Sequence, residues 1–185
     1  MRFIVAALLA FTSAAHAQEL TGTLRKIHDQ RSIALGVRDS AVPFSYLDGN
    51  QKPVGFAIDI CLRVVEAIKA ELKLPELAVV LTPVTSSTRI PLMANDTIDL
   101  ECGSTTNNAE RQKQVAFSNT YFLTASRFAA KKAAGLTTIA SLAGKSVAST
   151  SGTVNIAQLN RANTEQKLDL TVLPAKDYAE TFLLL

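Results

Sequence analysis

Apolar and polar positions alternate along the chain in two different periods. Residues 32–37, Ser-Ile-Ala-Leu-Gly-Val, form a short apolar run typical of a buried strand. Between residues 58 and 72, apolar side chains recur at spacings of three, four and one, and charged side chains fill the other face, which predicts an amphipathic helix. Pro75 is expected to prevent its continuation. The apolar face of this helix is predicted to comprise Ile60, Val64, Ala67, Ile68 and Leu72.

A turn signal lies between these two elements. Asp48-Gly49-Asn50 is flanked by the strand-like pairs Tyr46-Leu47 and Pro53-Val54. Asp, Gly and Asn at such a position favour a tight hairpin connection. We therefore predict a β-hairpin within residues 44–56.

The alternation continues to residue 130 in the order β-α-β-α-β. Strands separated by helices predict an α/β fold with a largely parallel sheet and helices on both faces. Ligands of such sheets bind at the carboxyl ends of the strands. The predicted elements are a strand at 77–84, a helix at 87–95, a strand at 98–102, a helix at 109–115 and an extended segment at 117–130.

A second unit is predicted after the stretch Lys131-Lys132-Ala133-Ala134-Gly135. The sequence ends in an apolar helical turn, Phe182-Leu183-Leu184-Leu185, without a capping glycine. We therefore expect the chain to be cut short within this unit. The predicted elements are a helix at 138–142, a strand at 145–149, a helix at 154–163, a strand at 168–173 and a helix that starts near Asp177.

The first residues predict export. Arg2 precedes an apolar run at residues 3–11, and Ala15-His16-Ala17 has the small-x-small pattern of a cleavage site. We expect residues 1–17 to be a signal peptide cleaved after Ala17, and the protein to be periplasmic. The apolar run is shorter than the ~20 residues that a membrane span needs.

Composition and charge argue against nucleic-acid binding. The chain has 19 Lys and Arg against 16 Asp and Glu, and loss of Arg2 with the signal peptide would leave 18 minus 16, or +2. The basic residues are scattered, and 8 Phe, 3 Tyr and no Trp offer few platforms for stacking bases. An apolar content of 48% supports a hydrophobic core.

The sequence contains no recognisable catalytic or metal-binding motif. After removal of the signal peptide one histidine is left, His28, and no G-x-S-x-G, H-E-x-x-H or EF-hand pattern occurs. We therefore predict no catalytic residue, no metal and no cofactor. Asp99 and Glu101 are interpreted as solvated or capping carboxylates rather than as an acid/base pair. Cys61 and Cys102 either form a disulfide or are two buried small side chains.

The polar run that follows the strand predicted at 98–102 has side chains suited to binding an amino acid. Ser104 and Thr106 lie two residues apart, so in extended backbone their hydroxyls face the same way. Asn107 or Asn108 can cap the helix that follows, which brings Arg111 within about one turn of the same site. Hydroxyls and a guanidinium together suit an ammonium group and a carboxylate.

Two further arginines are predicted at ligand-facing positions. Arg38 directly follows the first strand, and Arg89 lies in the first turn of a helix, three residues after Ser86. A guanidinium binds a carboxylate in a bidentate manner, and three guanidiniums converging on one place would repel each other without an anion between them. Three unrelated surface arginines are the alternative interpretation.

Three stretches of sequence resemble a known family: Val42-Pro43-Phe44-Ser45-Tyr46, Arg89-Ile90-Pro91-Leu92, and Glu101-Cys102-Gly103-Ser104-Thr105-Thr106-Asn107-Asn108. From about Leu24 to Leu185 the chain resembles periplasmic glutamate/aspartate-binding proteins of ABC transporters, solute-binding protein family 3. The resemblance implies a type II periplasmic binding fold with two hinged lobes. Lobe 1 would comprise residues 18–125, and residues 126–185 would form a crossing segment and a partial lobe 2. Members of this family are longer, so the resemblance also implies truncation at the C-terminus.

The resemblance further implies a role for each candidate residue. Ser104 and Thr106 would bind the ligand ammonium, and Arg111 would bind its α-carboxylate. A backbone N–H of Thr153 or Val154, at a helix start, would bind the same carboxylate. The side-chain carboxylate would be bound by Arg38, Ser86 and Arg89, with Tyr178 at a position where relatives often have His.

By the same resemblance, the protein captures glutamate or aspartate and delivers it to the membrane permease of an ABC importer. It would act as a monomer and without a cofactor. Tyr in place of a possible cation at position 178 leaves the preference between glutamate and aspartate open. The alternatives are a periplasmic, dehydratase-like enzyme on the same scaffold and a sensory ligand-binding domain.

Overall fold

A computed structural model describes residues 19–185, so the predicted signal peptide lies outside the described residues. The chain is a mixed α/β structure. Its helices are α1 (Gly22–Gln30), α2 (Phe56–Leu72), α3 (Arg89–Ala94), α4 (Ala109–Gln112), α5 (Val154–Gln166) and α6 (Tyr178–Leu183). Its strands are β1 (Ser32–Val37), β2 (Ser40–Ala41), β3 (Ser45–Leu47), β4 (Pro53–Val54), β5 (Ala78–Pro83), β6 (Leu100–Cys102), β7 (Ser146–Thr150) and β8 (Thr171–Ala175), and short 3-10 turns lie at Lys132–Ala134 and Ala140–Leu142.

The first unit, α1 to α4, is built on a parallel sheet of order β5-β1-β6. Both neighbours run parallel to β1, with Ser32 opposite Ala78 and Leu35 opposite Leu100. Ile33, Leu35 and Val37 are buried because β1 is the central strand and these three side chains face the core that includes helix α2. The carboxyl ends of all three strands therefore meet at one edge, as the β-α-β-α-β order predicts.

Helix α2 covers one face of this sheet, but only partly with the predicted residues. The side chains in the core are Ile58, Cys61, Val65 and Leu72, whereas Val64 is 39% exposed. The prediction is therefore confirmed at Leu72 and at Ile68, which packs against the core, and is wrong at Val64 and Ala67, which are exposed. The buried row keeps the alternating spacing of three and four, and it includes Cys61.

A disulfide joins Cys61 of α2 to Cys102 of β6, with the two Cα atoms 6.0 Å apart. The disulfide alternative left open by the sequence is therefore the one that the structure shows. The disulfide links helix α2 to the last residue of β6, directly before the segment that contains Ser104. Because it closes a loop across 41 residues, it is expected to stabilise the fold by about 4 kcal/mol.

The predicted hairpin is confirmed. Strands β3 and β4 pair antiparallel, with Tyr46 opposite Val54. The carboxylate of Asp48 accepts hydrogen bonds from the backbone N–H groups of Asn50 and Lys52, at 2.8 and 2.9 Å. This Asx-type bonding explains why the turn forms at this residue.

The second unit, β7 to α6, has its own sheet and its own core. Strands β7 and β8 are parallel, and the core is formed by Leu142, Leu159, Leu168 and Leu170. The last strand begins at Thr171 rather than at residue 168 because Lys167 and Asp169 have left-handed backbone conformations, with φ of 50° and 53°. Residues 168–170 therefore form a turn that directs two leucines inward, not an extended strand.

Residues between the two units have little regular structure. The helix predicted at 109–115 ends at Gln112, the one predicted at 138–142 is only a 3-10 turn, and residues 116–131 contain neither helix nor strand. None of the helices within residues 19–185 has the length and apolar character needed to cross a membrane.

Candidate functional site

A cleft of about 200 Å³ lies between the carboxyl edge of the first sheet and the start of helices α5 and α6. Parallel strands bring their terminal loops together at this edge, which is where α/β proteins bind ligands. The cleft is lined by Val42, Phe44, Arg89, Ser104, Thr106, Thr124, Thr153, Val154, Asn155 and Tyr178.

Arg38 directly follows β1 and is 1% exposed. Its backbone N–H donates to Ser45 Oγ at 2.8 Å, which fixes the strand end against the hairpin. The guanidinium carbon lies 5.0 Å from the centre of the Tyr178 ring. Nη1 of Arg38 is buried and has no hydrogen-bond partner among residues 19–185. A charged donor of this kind remains available for an anion.

Arg89 begins helix α3 and is 2% exposed. The turn before it is held by reciprocal hydrogen bonds between Thr85 and Thr88, at 2.9 and 3.2 Å. Nε and Nη1 of Arg89, and Oγ of Ser86, are buried without a hydrogen-bond partner in the described part of the chain. An unpaired buried donor costs about 1–3 kcal/mol, and more when it is charged, so Arg89 and Ser86 present donors that an anion in the cleft would satisfy.

Burial lowers the pKa of Arg89, because desolvation disfavours the charged form. The carboxylate of Glu101 raises that pKa, with Oε1 lying 3.8 Å from Nη1 of Arg89. This distance is too long for a hydrogen bond. The negative charge of Glu101 therefore stabilises the charged guanidinium, but it does not accept a hydrogen bond from Nη1 of Arg89.

Ser104 and Thr106 both line the cleft, as their spacing after β6 predicts. Ser104 Oγ lies 3.3 Å from the hydroxyl of Tyr178, so the two side chains connect the first unit to the second. Asn108 is the residue that caps α4, because its side chain accepts from the backbone N–H of Arg111 at 2.9 Å. Asn107 instead accepts from the side-chain amide of Gln112 at 2.7 Å.

Arg111 bridges the two units through backbone carbonyls. Its Nη1 donates to the carbonyl oxygen of Thr106 at 2.9 Å, and its Nη2 donates to that of Gly152 at 3.1 Å. Burial lowers the pKa of Arg111, and the negative charge of Glu101 raises it. Arg111 is therefore beside the cleft and positioned by both units, although it is not among the lining side chains.

The start of helix α5 contributes Thr153 and Val154 to the cleft. Thr153 Oγ1 accepts from the backbone N–H of Ile156 at 3.3 Å and donates to the carbonyl of Thr150 at 2.7 Å. The hydroxyl thus caps the helix. The first backbone N–H groups of a helix have no acceptor within it and favour a negatively charged group.

Tyr178 is the first residue of α6, positioned by Asp177, whose carboxylate accepts from the backbone N–H of Glu180 at 2.9 Å. Burial raises the pKa of Tyr178, but the hydrogen bond to Ser104 and the charges of Arg89 and Arg38 outweigh that effect and lower it. The phenol is therefore part of the same electrostatic group as the arginines.

Six of the nine predicted site residues line the cleft, and three do not. Arg38 and Arg111 lie next to lining residues, and Ser86 is buried in the turn that precedes Arg89. Sequence reasoning did not select four of the lining residues, although two of them lie in the Val42–Tyr46 stretch that it singled out. These four are Val42, Phe44, Thr124 and Asn155.

The interpretation of Asp99 and Glu101 as solvated or capping is wrong. The side chain of Asp99 is 3% exposed, and it binds Lys26 at 2.8 Å and the backbone N–H of Ala34 at 2.8 Å. The side chain of Glu101 is 13% exposed and faces Arg89. Lys26 is 73 residues from Asp99 in the sequence, so no local pattern reveals the pairing. No group of three or more His, Cys, Asp or Glu side chains within residues 19–185 could hold a metal ion.

The cleft between the two α/β units brings together buried arginines, hydroxyl groups and the start of a helix, a combination suited to binding a small anionic molecule. The sequence matches the family described as bacterial extracellular solute-binding proteins, family 3, over residues 33–176, and the chain belongs to this family.

Two bacterial relatives are similar over most of this chain. The L-glutamate/L-aspartate-binding protein of Pseudomonas aeruginosa is 49% identical over 98% of the chain and 60% of its own length. The glutamate/aspartate import solute-binding protein of Escherichia coli is 48% identical over 86% of the chain and 53% of its own length. The chain therefore spans between half and two thirds of these relatives.

The fold is similar to that of a solved solute receptor for L-cysteine from Neisseria gonorrhoeae, with a TM-score of 0.71. That structure is 22% identical in sequence, and the match covers 89% of this chain and 63% of the receptor. At this identity the likeness concerns the fold alone. The chain has the type II periplasmic binding fold, as predicted.

Proposed function

We propose that the protein is a periplasmic solute-binding protein that captures glutamate or aspartate and delivers it to the membrane permease of an ABC importer. Residues 1–17 would be removed as a signal peptide by cleavage after Ala17, and the protein would act as a monomer. The observation that carries the proposal is the pair of buried arginines, Arg38 and Arg89: Nη1 of Arg38 and Nε and Nη1 of Arg89 are buried without a hydrogen-bond partner within residues 19–185.

The ligand side-chain carboxylate is assigned to Arg38, Ser86 and Arg89. A carboxylate offers about four lone-pair sites and can accept bidentate bonds from arginine. An amide would satisfy fewer of these donors and carries no charge to neutralise them. The assignment therefore favours an acidic over a neutral amino acid.

The α-carboxylate is assigned to Arg111 and the backbone N–H groups of Thr153 or Val154. The ammonium is assigned to Ser104 and Thr106, whose oxygens can accept its hydrogen bonds. Tyr178 is assigned a contact with the ligand because its hydroxyl meets Ser104 and its ring meets Arg38. In this arrangement both units contact the same small molecule.

We further propose that lobe 1 ends at residue 125 and that residues 126–185 belong to the crossing segment and lobe 2. Ligand contacts from both lobes would then stabilise a closed state, because a ligand shifts a two-state equilibrium only through contacts that differ between the states. The function is binding without chemical change of the ligand.

The test is calorimetric titration of wild-type protein and of the Arg89→Met variant with glutamate and aspartate. Loss of a charge-assisted hydrogen bond, worth about 1.5–3 kcal/mol, should weaken glutamate binding at least about tenfold. Arg63→Met is the matched control, because Arg63 is exposed on α2. Unchanged glutamate affinity in Arg89→Met would show that the side-chain assignment is wrong.

A further inference from the structure

Glu101 is a buried carboxylate to which the proposed function gives no role. It lies in β6, its side chain is 13% exposed, and its Oε1 is buried without a hydrogen-bond partner in residues 19–185. Carboxylates in proteins are seldom left in this condition, because desolvation of an ionised group is costly. Its closest basic contact is Nη1 of Arg89, at 3.8 Å.

Arg89 separates two cavities. One is the ligand cleft, and the other is a larger space of about 580 Å³ that runs along β6. Arg89 lines both cavities, whereas Glu101 lines only the larger one. Glu101 therefore approaches the guanidinium from outside the ligand cleft, while the cleft side of the same guanidinium remains open to a ligand.

Gly103 makes room for this carboxylate. A Cβ atom at position 103 would collide with Oε1 of Glu101 and would lie 3.2 Å from Cγ of Arg38. Glu101 is thus close to both buried arginines of the proposed subsite. It is held near them without forming the bidentate pair that would bind their donors permanently.

We propose, on the basis of the function proposed above, that Glu101 is an internal counter-ion that competes with the ligand's side-chain carboxylate for the Arg89 guanidinium. In the ligand-free protein its negative charge offsets part of the repulsion among Arg38, Arg89 and Arg111. When a dicarboxylate enters the cleft, the same charge repels the incoming carboxylate across the guanidinium. Glu101 is thus a positioning residue that limits affinity and favours release.

The electrostatics of the neighbouring groups agree with this role. Burial lowers the pKa values of Arg89 and Arg111, and Glu101 is the carboxylate that raises both. Removal of its charge should therefore destabilise the ligand-free protein and increase the attraction for an anion. If Glu101 had a purely structural role, removal of its charge would change the stability of the protein without changing its affinity for an anion.

The test is the Glu101→Gln variant, which keeps the shape of the side chain and removes its charge. Two carboxylates on opposite sides of a guanidinium are about 7 Å apart. At an effective dielectric constant of about 20, their repulsion corresponds to more than a tenfold change in affinity. We expect Glu101→Gln to bind glutamate about tenfold more tightly in calorimetry. Affinity for glutamine should change much less, because its amide is neutral.

Asp99→Asn is the matched control, since Asp99 is also a largely buried carboxylate and lines the same larger cavity but pairs with Lys26. It should lower the melting temperature and leave the glutamate-to-glutamine affinity ratio unchanged. Glu101→Asp, which withdraws the carboxylate by one methylene, should shift this ratio in the same direction as Glu101→Gln by a smaller factor.

The outcomes separate the two proposals. If the wild-type protein binds glutamate and Glu101→Gln leaves the ratio unchanged or lowers it, competition by Glu101 is refuted and the proposed function stands. If Glu101→Gln does not fold, the same criterion applies to Glu101→Asp. If the wild-type protein binds no acidic amino acid, the proposed function is refuted, and the competition is refuted with it.

Discussion

Gly152 is the point at which the backbones of the two units come into contact. It lies in the turn between β7 and α5 with φ of 73°, and a Cβ atom there would lie 2.6 Å from Cα and 2.7 Å from N of Ser87. Gly144 has a similar φ of 70°, but a Cβ atom there would meet nothing within 4 Å. The two glycines therefore share a backbone conformation and differ in their surroundings.

Gly152→Ala should cost more stability than Gly144→Ala, and only Gly152→Ala should weaken binding. Alanine in the left-handed region costs about 1–2 kcal/mol at either position. Only Gly152→Ala also pushes the units apart, by about 1 Å, to restore an ordinary carbon contact of about 3.5–4.0 Å. That movement breaks the 3.1 Å hydrogen bond from Arg111 to the carbonyl of Gly152, and a hydrogen bond to a charged group contributes about 1.5–3 kcal/mol.

The assay is a thermal melt of each variant followed by titration with glutamate. Both melting temperatures should fall, that of Gly152→Ala by the larger amount. Gly144→Ala should keep wild-type affinity, and Gly152→Ala should bind glutamate at least about tenfold more weakly. Equal affinities in the two variants would refute the argument that contact between the units at Gly152 contributes to binding.

Two further predictions concern Tyr178 and the disulfide. Tyr178→Phe should weaken glutamate binding by roughly two- to tenfold, because the phenyl ring keeps its contact with Arg38 but the hydrogen bond to Ser104, worth about 0.5–1.5 kcal/mol, is lost. Tyr46→Phe, on the hairpin, serves as the control. Equal effects of the two substitutions would argue against a contribution of the Tyr178–Ser104 hydrogen bond. Burial raises the pKa of Tyr178, but Ser104, Arg89 and Arg38 lower it overall. Glutamate affinity should therefore fall as the pH rises through this lowered pKa, because a phenolate forms beside the ligand. A pH profile of glutamate affinity that Tyr178→Phe leaves unchanged would contradict the contact of Tyr178 with the ligand. Replacing Cys61 and Cys102 together by Ala should lower the free energy of unfolding by about 4 kcal/mol. A reducing agent should lower the melting temperature of the wild-type protein and leave that of the variant unchanged. Similar melting temperatures for the two proteins without a reducing agent would contradict the expected loss of stability.

Elements defined by a local pattern could be predicted from the sequence. The apolar run of β1 identifies a strand, and Asp48 in its turn identifies a hairpin. The spacing of Ser104 and Thr106 is enough to assign them to one site, because it depends only on extended backbone after a strand.

Features that depend on distant partners could not be predicted. Asp99 is buried because Lys26 lies beside it in the fold, and nothing near Asp99 in the sequence indicates this pairing. Lys167 and Asp169 turn the chain before β8 although neither is glycine, so the apolar residues around them resemble part of a strand. Glu101 was misinterpreted for the same reason as Asp99, since its environment depends on Arg89, which is distant in the sequence.

The central claim is that the buried guanidiniums of Arg38 and Arg89 select a dicarboxylic amino acid. Calorimetric titration of the wild-type protein with glutamate, aspartate, glutamine and arginine tests it most directly. We predict that glutamate or aspartate binds at least about tenfold more tightly than glutamine, the equivalent of one charge-assisted hydrogen bond, and that arginine does not bind. Equal or tighter binding of glutamine or arginine would contradict the claim.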